Sequence, residues 1–379
     1  MTRRDTLMRT LRGEPVSRPP VCFYEINGLD QNPDNPDPFN IYNDPSWRPL
    51  LDLARERSHR IVMRGAAFNN NLPDPAEALS TIETVDKDNS RYWTSTIRIG
   101  RRTLTARSRR DQGVDTVWSL EHLLKDTDDL KAFLTLPQTP SGGKPRTTPT
   151  LDTETILGDS GIVMLDTPDP LCLAASLFHM EDFTIIAMTE PELFHRLLQR
   201  FATELYPKTE AIAQALPGHL WRIYGPEYAS PPYLPPHLFR EYVTDYVKPM
   251  VEAIQRHGGF ARIHSHGNLK DILEHIAATG CSGLDPIEPP PQGNVSLSYV
   301  REHYGHQMVL FGNLEASDIE NLPADAFAGK VRTALREGTT GPGRGFVLMP
   351  SASPYGRHLT RQALNNYQLM IDLTEQFQG

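Results

Sequence analysis

From residue 161 onward, short apolar stretches alternate with longer amphipathic ones, and this rhythm constrains the fold more than any other feature. The strand-like stretches are "GIVMLD" (161–166), "HLWRIYGPEYAS" (219–230), "GFARIHSHG" (259–267), "CSGLDPIEP" (281–289), "HQMVLFGNLE" (306–315) and "GFVLMPSAS" (345–353). Between them lie helical stretches such as "PELFHRLLQRFATELYPKTEAIAQAL" (191–216) and "PADAFAGKVRTALREG" (323–338). In residues 237–258, Leu238, Phe239, Tyr242, Val243, Tyr246, Val247 and Met250 recur at helical spacing, with a kink expected at Pro249. Strand followed by helix, repeated, demands a parallel sheet. A doubly wound open sheet would satisfy the pattern too. However, the last strands carry no glycine-rich dinucleotide turn, and "GPGRG" (341–345) precedes a strand rather than a helix.

Upstream, residues 3–12 read as a helix with Leu7, Met8 and Leu11 on one face and Gly13 at its end. "PPVCFYEI" (19–26) and "RIVMRG" (60–65) read as buried strands, which brings the count near eight. The expected fold is therefore α/β: a single (β/α)8 TIM barrel over residues 1–379, with an N-terminal extension. A β-hairpin insertion is expected at 90–108, turning at Gly100-Arg101. A polar helix is expected near 119–134 and a Pro/Gly/Thr-rich loop at 137–150. The turn-rich loop at 27–47 has a length usual for functional segments.

Composition narrows the function. A net charge of −9 disfavours nucleic-acid binding. No apolar run approaches the roughly 18 residues of a membrane span. The 3 cysteines, Cys22, Cys172 and Cys281, form no CxxC pair, so a disulfide scaffold or thiolate-rich zinc site is not expected and a reducing cytoplasm is.

In a barrel of this kind the chemistry sits at the C-terminal strand ends. Those ends carry Tyr24 and Glu25, Arg64, Asp166 and Asp169, Glu227, His264 and His266, Asp285 and Glu288, Asn313 and Glu315, and Ser351, Ser353 and Tyr355. His264 and His266 are two residues apart, so an extended backbone points them to one side. Glu227 ends the preceding strand. Two imidazoles and a carboxylate form a common zinc set with an open position, and they also fit non-haem iron. Glu227, His264 and His266 are thus candidate metal ligands for zinc or another divalent transition metal. Glu25 is a candidate general base, Arg64 a candidate carboxylate clamp, and Tyr355 a candidate cleft residue.

"RDTLMRTLRGEPVSRPPV" (4–21), "EHLLKDTDDLKAFL" (121–134), "GNLEASDIENLP" (312–323) and the "IHSHG…GLDPIEP" run together resemble the uroporphyrinogen decarboxylase superfamily, nearly end to end. The resemblance implies a (β/α)8 barrel with its cleft at the C-terminal face. The true decarboxylases of that superfamily carry an arginine- and glycine-rich segment after the first strand. Here that place reads "FYEINGL" (23–29), so heme-pathway decarboxylation is not expected. The methyltransferase branch binds zinc through His-x-Cys-Gly and a later Cys, activates a thiol, and takes its methyl group from a corrinoid protein. The corresponding motif here is His264-Ser265-His266-Gly267, and Ala352 stands at the later position, so both thiolates are missing. The expectation is a metal-dependent methyltransferase or demethylase acting on a small molecule, with a corrinoid protein as its implied partner and a monomeric or homodimeric state. The alternatives are a metal-dependent lyase, decarboxylase or hydrolase on a small carboxylated substrate, and a non-catalytic binding protein.

Overall fold

In the computed structural model, which describes residues 1–69, 79–138 and 143–378, the strands in chain order are β1 (Arg60–Gly65), β2 (Phe68–Asn69), β3 (Ser80–Lys87), β4 (Ser90–Ile99), β5 (Arg102–Asp111), β6 (Val117–Glu121), β7 (Lys144–Pro145), β8 (Gly161–Pro168), β9 (Leu220–Tyr224), β10 (Phe260–Ser265), β11 (Gly283–Pro286), β12 (Val309–Leu314) and β13 (Phe346–Pro350). Seven of them make one curled, all-parallel sheet in the order β1-β8-β9-β10-β11-β12-β13. Helices join successive strands across its outer face, among them Pro191–Ala215 and Ala324–Thr339, and the helix Arg361–Gln376 follows the last strand. Parallel strands need such crossovers, and the helices bury the outward Trp221, Ile223, Ile263 and Leu310 in one continuous core. No described helix is long and apolar enough to cross a membrane.

The inner face of the sheet is built in two layers. Ile61, Ile162, Met164, Leu220, Val309, Phe311, Val347 and Met349 form an apolar lower layer. The N-terminal helix Arg3–Arg12 closes it from below with Leu7 and Leu11, which are 1% and 2% exposed. That helix starts on a reciprocal capping box between Thr2 and Asp5 and ends on Gly13 at φ 73°, a left-handed cap suited to glycine. Truncating such a buried leucine to alanine costs about 2–5 kcal/mol. Above the apolar layer the inward positions become polar, at Asp166, Arg222, Arg262, His264 and Asp285.

β1 and β13 are the two ends of the sheet, and residues 20–22 stand between them. The Cys22 N–H donates to the Leu348 carbonyl, and the Leu348 N–H to that of Pro20, both at 2.9 Å. On the other side the His59 N–H donates to the Val21 carbonyl at 2.7 Å, while the Val21 N–H donates to His59 Nδ1 at 3.2 Å. The strand expected over 19–26 is thus a single bridge at Val21. Tyr24, at φ 53°, turns the chain away before more pairs can form. Seven regular strands and one bridge replace the eight strands expected.

The hairpin at 90–108 is present as β4 and β5 (Ile99 opposite Arg102), but it is the centre of a four-stranded antiparallel meander, β3-β4-β5-β6. Part of the segment expected to be a polar helix near 119–134 is instead β6, whose pairing to β5 overrides local propensity; the helix begins only at Thr127. Ile97 and Leu104 anchor the meander to the main core. Arg357, after β13, ties it down by donating to the carbonyls of Gln112, Pro38 and Asn40. The loop expected at 137–150 lies partly outside the described residues; its described part contains β7 and the start of the helix Thr148–Leu157. The irregularity expected at Pro249 falls one turn earlier, as a widened π segment over Arg240–Thr244. Proline cannot donate and its ring crowds the preceding turn, so the strain is relieved upstream.

The His59 seam makes a testable statement. Nδ1 must stay unprotonated to accept from Val21, and burial lowers the imidazole to about 4 from its usual 6.5. The unfolded chain binds this proton near pH 6.5 and the folded chain only near 4. The stability it confers is therefore present above 6.5 and lost as pH falls towards 4. Denaturant titrations should show His59→Ala destabilised by roughly 1–3 kcal/mol at pH 7.5 and losing less stability than wild type between pH 6.5 and 4.

Candidate active site

The polar upper layer follows from strand alternation. In β9, Leu220 and Arg222 face inward; in β10, Phe260, Arg262 and His264 do; in β11, Gly283 and Asp285. Lateral register then sets Asp166 beside Arg222 and His264 beside Asp285.

Two buried clusters result. Arg222 donates Nε to Asp166 Oδ1 at 2.7 Å and an Nη to Oδ2 at 3.0 Å, a bidentate fork. Its other Nη donates to the Tyr24 hydroxyl at 2.6 Å and lies 3.7 Å from Glu25. Burial opposes the charge on Arg222, yet the Asp166 bonds outweigh it and the guanidinium pKa rises. Burial also raises the Glu25 carboxyl, which Arg222 partly offsets.

In the second cluster Asp285 is wholly buried between Arg262 Nε at 2.9 Å and His264 Nδ1 at 2.8 Å. The Arg262 contact has ion-pair distance, but its N–H does not point along the line, so charge rather than an aligned hydrogen bond holds it. Arg262 also lies over the Phe311 ring at 4.8 Å. Burial would raise the Asp285 carboxyl; Arg262 and His264 overcome it and hold it at about 2.

His266 repeats the pattern higher up. Its Nδ1 bonds Glu288 Oε1, and Glu288 Oε2 accepts the Gly267 N–H, both at 2.8 Å. Gly267, at φ 86°, makes the turn that allows this. Burial lowers His266, but Glu288 more than compensates, so its pKa rises while that of Glu288 falls. The two imidazoles lie 4.6 Å apart, nearly perpendicular. An ionised carboxylate only accepts, so each ring carries its proton on Nδ1 and turns Nε2 outward. Carboxylate-braced histidine with a free Nε2 is the usual support of a metal ligand.

Of the candidate residues, His264 and His266 are brought together. Glu227 lines a cavity of about 490 Å³ that His266 also lines, but its Oε2 accepts the Gly225 N–H at 3.0 Å. Gly225 cannot carry a side chain: a Cβ there would lie 2.3 Å from that of Cys172 and 2.4 Å from Asp169 Oδ1. Among the described residues no group of three or more His, Cys, Asp or Glu is gathered as a metal cage. Glu25 joins the Arg222 cluster. Arg64 does not: it faces outward, donating Nε to Thr153 at 2.8 Å and pairing with Asp30 at 2.9 Å. Tyr355 sits at the meander with its carbonyl bound by the Asp115 N–H and its side chain 58% exposed. Cys281 is buried, away from these groups.

Sequence reasoning missed Arg222 and Arg262. The available signal was strict alternation in "LWRIY" and "FARIH", which puts each arginine on the inward face. Tyr24 and Ile287, at φ 53° and 55°, flank this region, and Ile287 is β-branched, so backbone strain gathers at the site.

A parallel sheet with polar groups at its C-terminal strand ends is the ground plan of a large class of α/β enzymes. The sequence profile of the uroporphyrinogen decarboxylase (URO-D) family matches residues 168–372, and the chain belongs to that family. A methyltransferase from Methanosarcina mazei superposes over 100% of both chains, with a TM-score of 0.61 and 18% identity, a likeness of fold. The 3-keto-D-glucoside 4-epimerase YcjR from E. coli covers 60% of this chain and 92% of its own, at 13% identity and a TM-score of only 0.29. No curated protein matches the sequence.

Two expected outcomes test the energetics. Asp285→Asn leaves Arg262 buried without its counter-charge and should cost about 3–5 kcal/mol in urea denaturation. Glu315, 7% exposed and accepting from the Ser351 hydroxyl at 3.2 Å, is raised to about 7 by burial and then by Glu288. Its unfolded value is 4.5, so the stability this group confers should be whole below 4.5 and be lost as pH rises through 7. Glu315→Gln should match wild type at pH 4.5 and exceed it by roughly 1–3 kcal/mol at pH 8.

Proposed function

We propose that this URO-D family chain is a methyltransferase or demethylase acting on a small molecule at the C-terminal end of the sheet. The reading takes the sheet as a closed (β/α)8 barrel whose eighth position is residues 20–22. The observation that carries it is the adjacent pair His264–His266, each braced on Nδ1 by a buried carboxylate.

The donor types fit zinc or another divalent transition metal, with His264 and His266 as imidazole ligands and Glu227, on the wall of the shared cavity, as the expected third. When bound, such a metal supplies Lewis acidity towards an acceptor thiol or a methoxy or amine group. The protein's own groups do the rest. Asp285 and Glu288 fix the imidazole tautomers. The Arg222–Asp166–Tyr24 cluster holds a rigid, dry floor under the reacting groups. Glu25, with its carboxyl raised, is placed to take up a proton near Arg222. The likeness to a solved methyltransferase favours methyl transfer, with a corrinoid protein as the donor to test first. Arg64, the carboxylate clamp expected for the methyl-transfer reading, faces away from the cavity, so a carboxylated substrate would have to be held by other groups.

Elemental analysis should find a near-stoichiometric divalent metal in the wild type, lost in the His264→Ala/His266→Ala variant. The metal-loaded protein should transfer a methyl group from a methylated corrinoid or a methoxylated donor, and the variant should not. Metal binding without methyl transfer from any such donor would overturn the methyltransferase reading.

A further inference from the structure

The cavity beside His266 has a composition that selects its ligand by charge. Its wall carries Tyr228, Tyr233 and Met180 together with the carboxylates of Glu227 and Glu288, and no lysine or arginine is among the described residues lining it. The nearby cations are committed elsewhere. Arg222 is forked onto Asp166, Arg262 is paired with Asp285, and Arg64 lies on the outer face. His266 is matched by Glu288, its hydrogen-bond partner. Glu227 forms no ion pair within hydrogen-bonding distance among the described residues: its carboxylate accepts the Gly225 N–H and feels the charge of nearby His266. A carboxylate, phosphate or sulfonate entering here would meet two carboxylates and no guanidinium or ammonium group.

We infer that this cavity binds a small organic cation of the N-methylated ammonium class, seated between the aromatic wall and Glu227. Methylated ammonium has no N–H to satisfy, or few, spreads its charge over its methyl groups, and is held by aromatic rings and diffuse negative charge rather than by directed hydrogen bonds. Tyr228, Tyr233 and Met180 offer polarizable surface of that kind, and Glu227 supplies the charge. A cavity of about 490 Å³ holds such a molecule with room for a second small reactant. The inference deepens the methyl-transfer reading and rests on it only in naming the bound molecule a methyl donor. The charge selection itself needs no transfer step.

The test compares small molecules of similar size and shape that differ in charge. Choline, its neutral carbon analogue 3,3-dimethylbutan-1-ol, and the anion 3,3-dimethylbutanoate are titrated calorimetrically into the full-length protein, both metal-free and zinc-loaded. Choline should bind the metal-free protein at least about tenfold more tightly than the neutral analogue, and the anion should not bind measurably. Tyr233→Ala, at a half-exposed position, should lose most of that margin and Tyr233→Phe should keep it; Glu227→Gln in the metal-free protein should narrow it as well. Equal binding of choline and the neutral analogue, or preference for the anion, overturns the inference. Charge-selective binding by a protein that takes up no zinc leaves the inference standing and removes the metal reading instead, so the two fail separately.

Discussion

Placing charge on the inner face of a curled parallel sheet sets the terms for the rest of this structure. Taking a carboxylate or guanidinium out of water costs several kcal/mol per ion, and only close pairing offsets it. Arg262 and Asp285 are 1% and 0% exposed, so the pairing of β10 with β11 cannot slip without leaving an ion alone. The same condition fixes Asp166 against Arg222 across β8 and β9. Register, set elsewhere by apolar pattern, is here set by charge as well. Once the ions are paired, His264 has one available orientation, with Nδ1 on Asp285 and its far edge towards His266.

Function and stability therefore divide by height. Below, the leucines of the N-terminal helix and the inward aliphatic residues form a dry plug. Above, the strand ends carry groups that are individually costly and jointly useful. The strained backbone at Tyr24 and Ile287 lies at that boundary, where the chain leaves regular pairing to shape the mouth. The Arg357 tie draws residues 38–43, the meander turn and the segment after β13 together on one side of the mouth. The cavity of Tyr228, Tyr233 and His266 is lined by none of these residues.

The parallel sheet, its strand ends and the His264–His266 pair were legible because alternation and strand–helix rhythm are local properties. β1 matches the expected 60–65 stretch residue for residue. What was not legible depended on partners distant in sequence. The 19–26 segment has strand composition, but only Val21 finds neighbours. β6 looks polar and helical until β5 lies beside it. Arg64 shows why a charged strand-end residue cannot be assigned to a site without its parity: Met63 packs against the inward cluster and Arg64, one residue on, faces Thr153. Conversely, Arg222 and Arg262 were overlooked because arginine within a strand reads as exposed, whereas the two-residue period places both inside.

The bridge of Val21 to Leu348, made through the flanking Pro20 and Cys22, joins the beginning of the chain to its end across some 327 positions. That stitch has a consequence for biosynthesis. The N-terminal helix and the 20–22 segment leave the ribosome first, yet the last strand they need is among the final residues made. Until then the inward face has no floor and no closing neighbour, and its ionic groups stand open to water. Formation of this seam is thus a late, long-range event with a large loop-closure entropy. A nascent chain halted before residue 346 would carry the histidine pair and most of the outer helices but lack the enclosure that makes them a site.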